Sequence, residues 1–319
     1  MQSFETLSKQ FAEKFDTRHF PEQPASLYEP NEYFLRLGGK RVRPVLCLMG
    51  NELFDEIIPD AWHAATAIEL FHNFTLIHDD IMDKAPLRRG KPTVHTKYNE
   101  STALLAGDVM MVKAYEYLNK ISSSYLSKVL SLFNKTAIEV CEGQQMDMDY
   151  ELRDAVSMSD YLKMIELKTS VALAASLKIG GLLGGGGERN QNLLYEFGRK
   201  LGIAFQVQDD YLDAFGDKSK TGKQIGGDIL ANKKTFLLIH AMESLSHKKE
   251  LEELIKTNPD DKVEKVVIVY KKCKADEWAL QLKNKYFDEA LNHLEDIAVL
   301  SKRKQPLREL ALFLVQRDF

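Results

Sequence analysis

Cysteine is scarce in this chain: only Cys47, Cys141 and Cys273 occur in 319 residues. Three widely spaced thiols make neither a disulfide framework nor a metal cage. A reducing, intracellular setting is the default expectation. No run reaches the roughly 18–20 uninterrupted apolar residues of a membrane span, so stable membrane insertion is not expected. The opening MQSFETLSKQFAEKF lacks the basic start, apolar stretch and cleavage site of a secretory signal. A cytoplasmic protein is therefore expected. A large excess of one charge is missing too. Lys and Arg number 43 against 47 Asp and Glu, a net charge of −4, which argues against a nucleic-acid partner.

Proline is also rare. Nine occur, and none lies between Glu100 and Lys256. Strict apolar/polar alternation and Asn-Gly or Asp-Gly hairpin turns are absent as well, which removes sheet-based folds. What is present is apolar residues at helical spacing. Leu104, Leu105, Val109, Val112 and Tyr115 form one such set, and Val129, Leu132, Phe133 and Ile138 another. The spacing predicts an all-α fold of about ten helices. Breaks are expected at Pro21–Pro30, Phe54–Pro59, Lys84–Pro92, Ser122–Ser124, Gly180–Gly187, Asp217–Asn232 and Asn258–Asp261. None is a long linker, so residues 1–319 read as a single domain. The glycine-rich Gly180–Gly187 lacks the Gly-Lys-Ser/Thr ending and preceding strand of a phosphate loop. It reads as a connector or as tight helix packing.

Two carboxylate triplets stand out: Asp79-Asp80-Ile81-Met82-Asp83 and Asp209-Asp210-Tyr211-Leu212-Asp213. On a helix, residues i and i+4 share a face, so Asp79 stands over Asp83 and Asp209 over Asp213. Like charges this close repel unless a counter-ion joins them. Hard oxygen ligands at this spacing suit Mg²⁺, which is commonly bound by one or two carboxylates plus substrate phosphates. One such triplet could be a solvated helix end. Two, each closing an apolar helical segment, favour metal binding.

Basic residues accompany both triplets. Lys84, Arg88, Arg89 and Lys91 follow the first; Lys218, Lys220, Lys223, Lys233 and Lys234 follow the second; Lys40, Arg41 and Arg43 lie upstream. They could neutralise the acids as weak surface pairs. They are also what a diphosphate needs, since guanidinium groups bind its oxygens bidentately. By themselves these residues point to Mg²⁺-dependent chemistry on a diphosphate with an apolar tail.

Together, Gly38-Gly39-Lys40-Arg41-Val42-Arg43-Pro44, Leu76-Ile77-His78-Asp79-Asp80-Ile81-Met82-Asp83, Arg88-Arg89-Gly90, Lys168-Thr169 and Phe205-Gln206-Val207-Gln208-Asp209-Asp210-Tyr211-Leu212-Asp213 resemble the trans-isoprenyl diphosphate synthases, or polyprenyl synthetases. The resemblance implies an all-α bundle around a deep central cavity, usually a homodimer. It implies that Asp79, Asp83 and Asp209 ligate Mg²⁺, about three ions with substrate bound, and that Asp80, Asp210 and Asp213 complete or orient that shell. Arg88, Lys168, Lys223 and Lys233 would assist the allylic diphosphate. Lys40, Arg43, His72 and Arg89 would bind isopentenyl diphosphate. Thr169 and Gln206 would turn oxygen dipoles toward the allylic cation. The implied reaction is ionisation of a dimethylallyl, geranyl or farnesyl diphosphate, condensation with isopentenyl diphosphate, and proton loss.

Product length should follow what blocks the cavity below the first triplet. Phe74 and Phe71 stand ~7.5 and ~12 Å down the helix from Asp79, with Thr75 nearby, against ~5 Å per isoprene unit. An aromatic floor at that depth suits three or four units, farnesyl or geranylgeranyl diphosphate. The compact first triplet, with Phe74 but Thr75, resembles the archaeal geranylgeranyl type. The alternative is that Phe71 and Phe74 are core aromatics. Other functions to weigh are a class I terpene cyclase, a catalytically silent partner subunit and a helical Mg²⁺-binding scaffold. The pair of intact Asp-Asp-x-x-Asp motifs and the basic pocket residues argue against all three.

Overall fold

The computed structural model describes residues 1–216 and 226–316. The chain divides into two compact units, Met1–Phe133 with Ser176–Gln191, and Asn134–Ala175 with Asn192–Phe319. Among the described residues the only strands are a two-residue pair, Leu87–Arg88 against Lys91–Pro92, so the fold is all-α as expected.

In the first unit the chain forms α1 (Phe4–Phe15), α2 (Ala25–Leu35), α3 (Val42–Glu52), α4 (Pro59–Met82), α5 (Val94–Lys97) and α6 (Glu100–Leu118). The unit also takes the start of α7 (Ser123–Glu151) and the end of α9 (Val171–Leu183). Helix α4 opens on Pro59, whose missing N–H costs nothing at that position. It buries Ala61, Ala64, Ala65, Ala67, Ile68, Leu70 and Phe71. The four alanines let neighbours come close. Gly107 of α6 faces the His78 ring so tightly that an added Cβ would lie 2.2 Å from its Nε2. His78 lies 3.1 Å from the Leu104 carbonyl and is a packing residue. The glycine run is tight packing as well. A Cβ on Gly180 would lie 1.9 Å from the Cys47 carbonyl of α3, and one on Gly184 would lie 2.4 Å from that of Asn51. Only its second half is a connector, because α9 runs to Leu183.

The second unit holds the rest of α7, α8 (Met158–Ile165), a π-helical turn Glu166–Ser170, the start of α9, and most of α10 (Glu188–Phe215). Helices Gly227–Leu230, Phe236–Met242, Lys248–Thr257, Lys262–Lys272, Ala275–Glu295 and Ser301–Val315 follow. Its core joins Tyr161, Val207, Phe236, Leu251, Val269 and Tyr270. The last apolar stripe, Leu307, Leu310, Ala311 and Leu314, is core.

Two expectations change. The described helices outnumber ten, because the C-terminal part is cut into short segments. Pro30 does not end a helix but lies buried inside α2.

Candidate active site

Both aspartate triplets sit at the C-terminal ends of long helices, the first closing α4 and the second closing α10. Neither helix carries a basic residue in its last turn. A helix C-terminus bears partial negative charge from its unpaired carbonyls. Three carboxylates added there raise the local negative potential further, and the arrangement favours a cation.

In the first unit, Asp80 is 1% exposed and its carboxylate is gripped by Arg88. Arg88 Nε donates to both oxygens at 2.9 Å, and Nη2 lies 2.8 Å from Oδ1. Burial pushes the Asp80 pKa up and the Arg88 contact opposes it. Asp79 is partly exposed and Asp83 exposed. Asp83 closes the helix, its N–H donating to the Asp79 carbonyl at 2.8 Å.

The upstream basic segment sorts itself by burial. Arg41 is buried, forms an ion pair with buried Glu69, donates to the Leu35 carbonyl and covers the Phe15 ring at 4.7 Å. Asn73 completes this group by donating to Glu69 Oε1 at 2.9 Å. Arg41 therefore anchors the segment. Lys40 on one side is exposed, and Arg43 on the other donates to His72 Nε2 at 3.1 Å. Burial and the charges of Arg43, Arg89, Arg88 and Arg41 hold His72 well below its ordinary pKa. His72 is thus neutral and accepts from Arg43, which assigns its proton to Nδ1. Arg89 donates to the Gly38 carbonyl and packs on Gly39, where a Cβ would lie 2.9 Å from its Nη2. Gly39 leaves room for that guanidinium.

Phe71 and Phe74 belong to one aromatic cluster of this unit. Phe71 meets Phe74 at 5.9 Å and Phe133 at 5.3 Å; Phe133 continues to Tyr115 at 5.5 Å. Thr75 turns its hydroxyl back to the His72 carbonyl at 2.8 Å.

In the second unit, Lys168 and Thr169 lie in the π-turn, where the Val171 N–H reaches Glu166 O. Such a turn widens a helix locally and re-aims its side chains. Two glycines let it pack: a Cβ on Gly143 would lie 2.2 Å from Lys168 N, and one on Gly202 2.6 Å from Ser170 Cα. Lys168 Nζ is 2.5 Å from Asp147 Oδ2. Thr169 Oγ1 donates to Gln206 Oε1 at 3.3 Å, and Gln206 Nε2 donates to Asp210 Oδ1 at 2.8 Å. Tyr161 donates to the other Asp210 oxygen at 2.5 Å. Asp210 is buried, and burial with the nearby charge of Asp228 pushes its pKa up to about 8. Asp213 Oδ2 accepts the Asp228 N–H at 3.0 Å, which caps the short helix Gly227–Leu230. A cleft of about 610 Å³ is lined by Asp147, Lys168, Thr169, Gln206, Asp210 and Lys233, among others.

The structure thus brings Lys168, Thr169, Gln206, Asp210 and Lys233 to one cleft. It gathers Arg43 with His72, and Arg88 with Asp80. Lys223 lies outside the described residues. Among the described residues no three His, Cys, Asp or Glu side chains converge into a ready cage. Sequence reading missed Tyr161, Asp228 and the π-turn. A lone glycine inside a helix, Gly143, was the available sign of a close approach.

Comparison with known proteins gives this geometry a context. The Polyprenyl synthetase family model matches residues 24–273. A geranylgeranyl pyrophosphate synthase of Geoglobus acetivorans is 39% identical over 309 residues, 96% of this chain and 95% of the relative. A crystal structure of a geranylgeranyl pyrophosphate synthase matches with TM-score 0.95 and 41% identity, covering all of both chains. A polyprenyl synthase from Caulobacter crescentus CB15, solved with calcium and isoprenyl diphosphate, matches with TM-score 0.87 and 26% identity over 99% of this chain and 98% of its own. The chain belongs to the polyprenyl synthetase family and is a prenyltransferase of the short-chain type.

Proposed function

We propose that the chain condenses isopentenyl diphosphate with an allylic diphosphate to give geranylgeranyl diphosphate, farnesyl diphosphate being the shorter alternative. The observation that carries this reading is the pair of aspartate triplets, each ending a long helix that has no cation in its last turn. Hard oxygens on a helix C-terminus fit a divalent ion, and Mg²⁺ completes its shell with water and phosphate oxygens. Asp79, Asp83 and Asp209 are the proposed ligands, with about three ions in the loaded enzyme. Asp80, Asp210 and Asp213 hold the ends of the two helices in shape. Bound Mg²⁺ supplies charge neutralisation of the departing pyrophosphate.

The chain's own residues would do the rest. Lys168 and Lys233, with Lys223, bind the allylic diphosphate and stabilise it as it leaves. Lys168 is held in place by Asp147. Arg88 reaches the diphosphate with the edge of its guanidinium not engaged by Asp80. Lys40, Arg43 and Arg89 bind isopentenyl diphosphate, and neutral His72 orients Arg43. Thr169 donates to Gln206, which leaves the hydroxyl's lone pairs available to a developing cation. Phe71, Phe74 and Thr75 limit chain growth, with the Phe71–Phe133 contact bracing the stop.

The residues act as one isoprenoid synthase domain, and the working form is a cytoplasmic homodimer. Leu105 and Val112 of α6, both more than half exposed, are apolar surface that a second copy would bury. No helix among the described residues is long and apolar enough to cross a membrane.

The test is direct. Purified protein is incubated with isopentenyl diphosphate, Mg²⁺ and each allylic primer in turn, and product length is measured. A C20 product is expected. A product of C30 or longer would overturn the chain-length reading, and no condensation with any primer would overturn the enzyme assignment.

A further inference from the structure

Lys262 opens the helix Lys262–Lys272 and is 1% exposed. Among the described residues it has no carboxylate partner. Its Nζ donates instead to two amide oxygens, Asn232 Oδ1 at 2.5 Å and Asn258 Oδ1 at 3.1 Å. Burying an ammonium is costly unless its hydrogen bonds are well made, and burial lowers the Lys262 pKa. A leucine would fill such a site more cheaply, so what the ammonium holds is the informative part.

Both asparagines sit in the left-handed region, with φ of +55° at Asn232 and +45° at Asn258. Asparagine tolerates that conformation better than most residues. Each follows a helix end. Asn258 caps Lys248–Thr257. Asn232 follows Gly227–Leu230, where its N–H donates to Ile229 O at 3.2 Å and the Lys233 N–H donates to Asp228 O at 2.9 Å. The next residue is Lys233. Asp228, Lys233 and Thr235 line the cleft that also contains Lys168, Gln206 and Asp210. The same three residues, with Lys262 and Asn232, also line a second, much smaller hollow. This segment is therefore a thin wall with the cleft on one side and Lys262 on the other.

We propose that Lys262 is a positioning residue: by clamping the Asn232 turn it fixes the backbone that presents Lys233 to the cleft. The inference rests on the reading of Lys233 as a ligand of the allylic diphosphate. Lys262 itself does not touch substrate. It acts through one side chain, Asn232, on its neighbour.

The test is steady-state kinetics with dimethylallyl and isopentenyl diphosphates for Lys262→Met, Lys233→Ala and the double variant. Lys262→Met keeps the bulk and removes the donor. It should raise KM for dimethylallyl diphosphate about tenfold, the value of one charge-assisted hydrogen bond. KM for isopentenyl diphosphate should stay within about twofold, and Lys233→Ala should absorb the effect, so the double variant matches Lys233→Ala alone. Asn232→Gly serves if Lys262→Met folds poorly, since glycine accepts the same φ and lacks the acceptor. It should show the same selective rise. An unchanged allylic KM in both variants, with Lys233→Ala impaired, would overturn the inference alone. So would a Lys262→Met effect of full size in the Lys233→Ala background. An unimpaired Lys233→Ala would overturn the reading of Lys233, and the inference with it.

Discussion

In the first unit the buried middle aspartate, Asp80, is closed off by a cation, the Arg88 guanidinium. In the second its counterpart, Asp210, is closed off by two neutral donors, Tyr161 and Gln206, with a second carboxylate, Asp228, nearby. The motif is the same and so is its place at a helix end, yet a charged guanidinium holds one middle aspartate and neutral donors hold the other. The local sequence explains the contrast. A tight turn after α4 places Arg88 eight residues from Asp80. After α10 the bracing of Asp210 comes instead from Tyr161 of α8 and from Gln206 of α10 itself.

The largest effect should come from the partly exposed first member of each triplet. Asp79→Ala and Asp209→Ala should each lower turnover at least about a thousandfold, the scale of losing a main source of leaving-group stabilisation. Circular dichroism should show both folded. A near-normal rate in either would remove that triplet from the chemistry.

The next effect concerns stability and separates the two braces. Arg88→Met leaves a buried carboxylate without its cation and should cost about 2–3 kcal/mol, at the low side because Arg88 is partly exposed. Tyr161→Phe removes one of two neutral donors and should cost about 1–2 kcal/mol. Denaturant titration of both variants checks the order. A larger loss for Tyr161→Phe would break the comparison.

The two regions should also answer pH in opposite directions in metal-free protein. His72 has a folded pKa well below the 6.5 of the unfolded chain, so the unfolded state takes up the proton first. Its contribution to stability is complete above 6.5 and is lost as pH falls below that. Asp210 has a folded pKa raised to about 8 against 3.8 unfolded. The folded state keeps the proton longer, so this group erodes stability as pH rises from about 4 to about 8. His72→Gln should flatten the acid limb and Asp210→Asn the neutral one, as read by melting temperature across pH. A single substitution that flattens both limbs would contradict the separation.

The smallest effect on rate, though not on product, should come from Phe74→Ala. It opens the first unit's aromatic cluster and should lengthen the product, as mass analysis of the prenyl chain would show. Unchanged products would leave Phe74 as a core aromatic.

Much of this site was legible in the sequence for a simple reason. The i, i+4 rule places Asp79 with Asp83 and Asp209 with Asp213, whatever the rest of the chain does. Gln206 shares a face with Asp210 by the same rule. The pairing of Arg88 with Asp80 was not legible, because it depends on how a turn doubles back. Nor were Tyr161 and the π-turn. A one-residue shift of backbone hydrogen bonds leaves no periodic trace, and a tyrosine in an amphipathic helix reads as core. In the sequence nothing sets Lys262 apart from a surface lysine. Only its burial against two asparagines sets it apart.

Both helix ends are proposed to take divalent cations together with a diphosphate. Calorimetric titration with inorganic pyrophosphate, with and without Mg²⁺, tests it most directly. Binding should be strong with Mg²⁺, weak without it, and lost in both Asp79→Ala and Asp209→Ala. Equal binding in the absence of Mg²⁺, or undiminished binding in either variant, would contradict it.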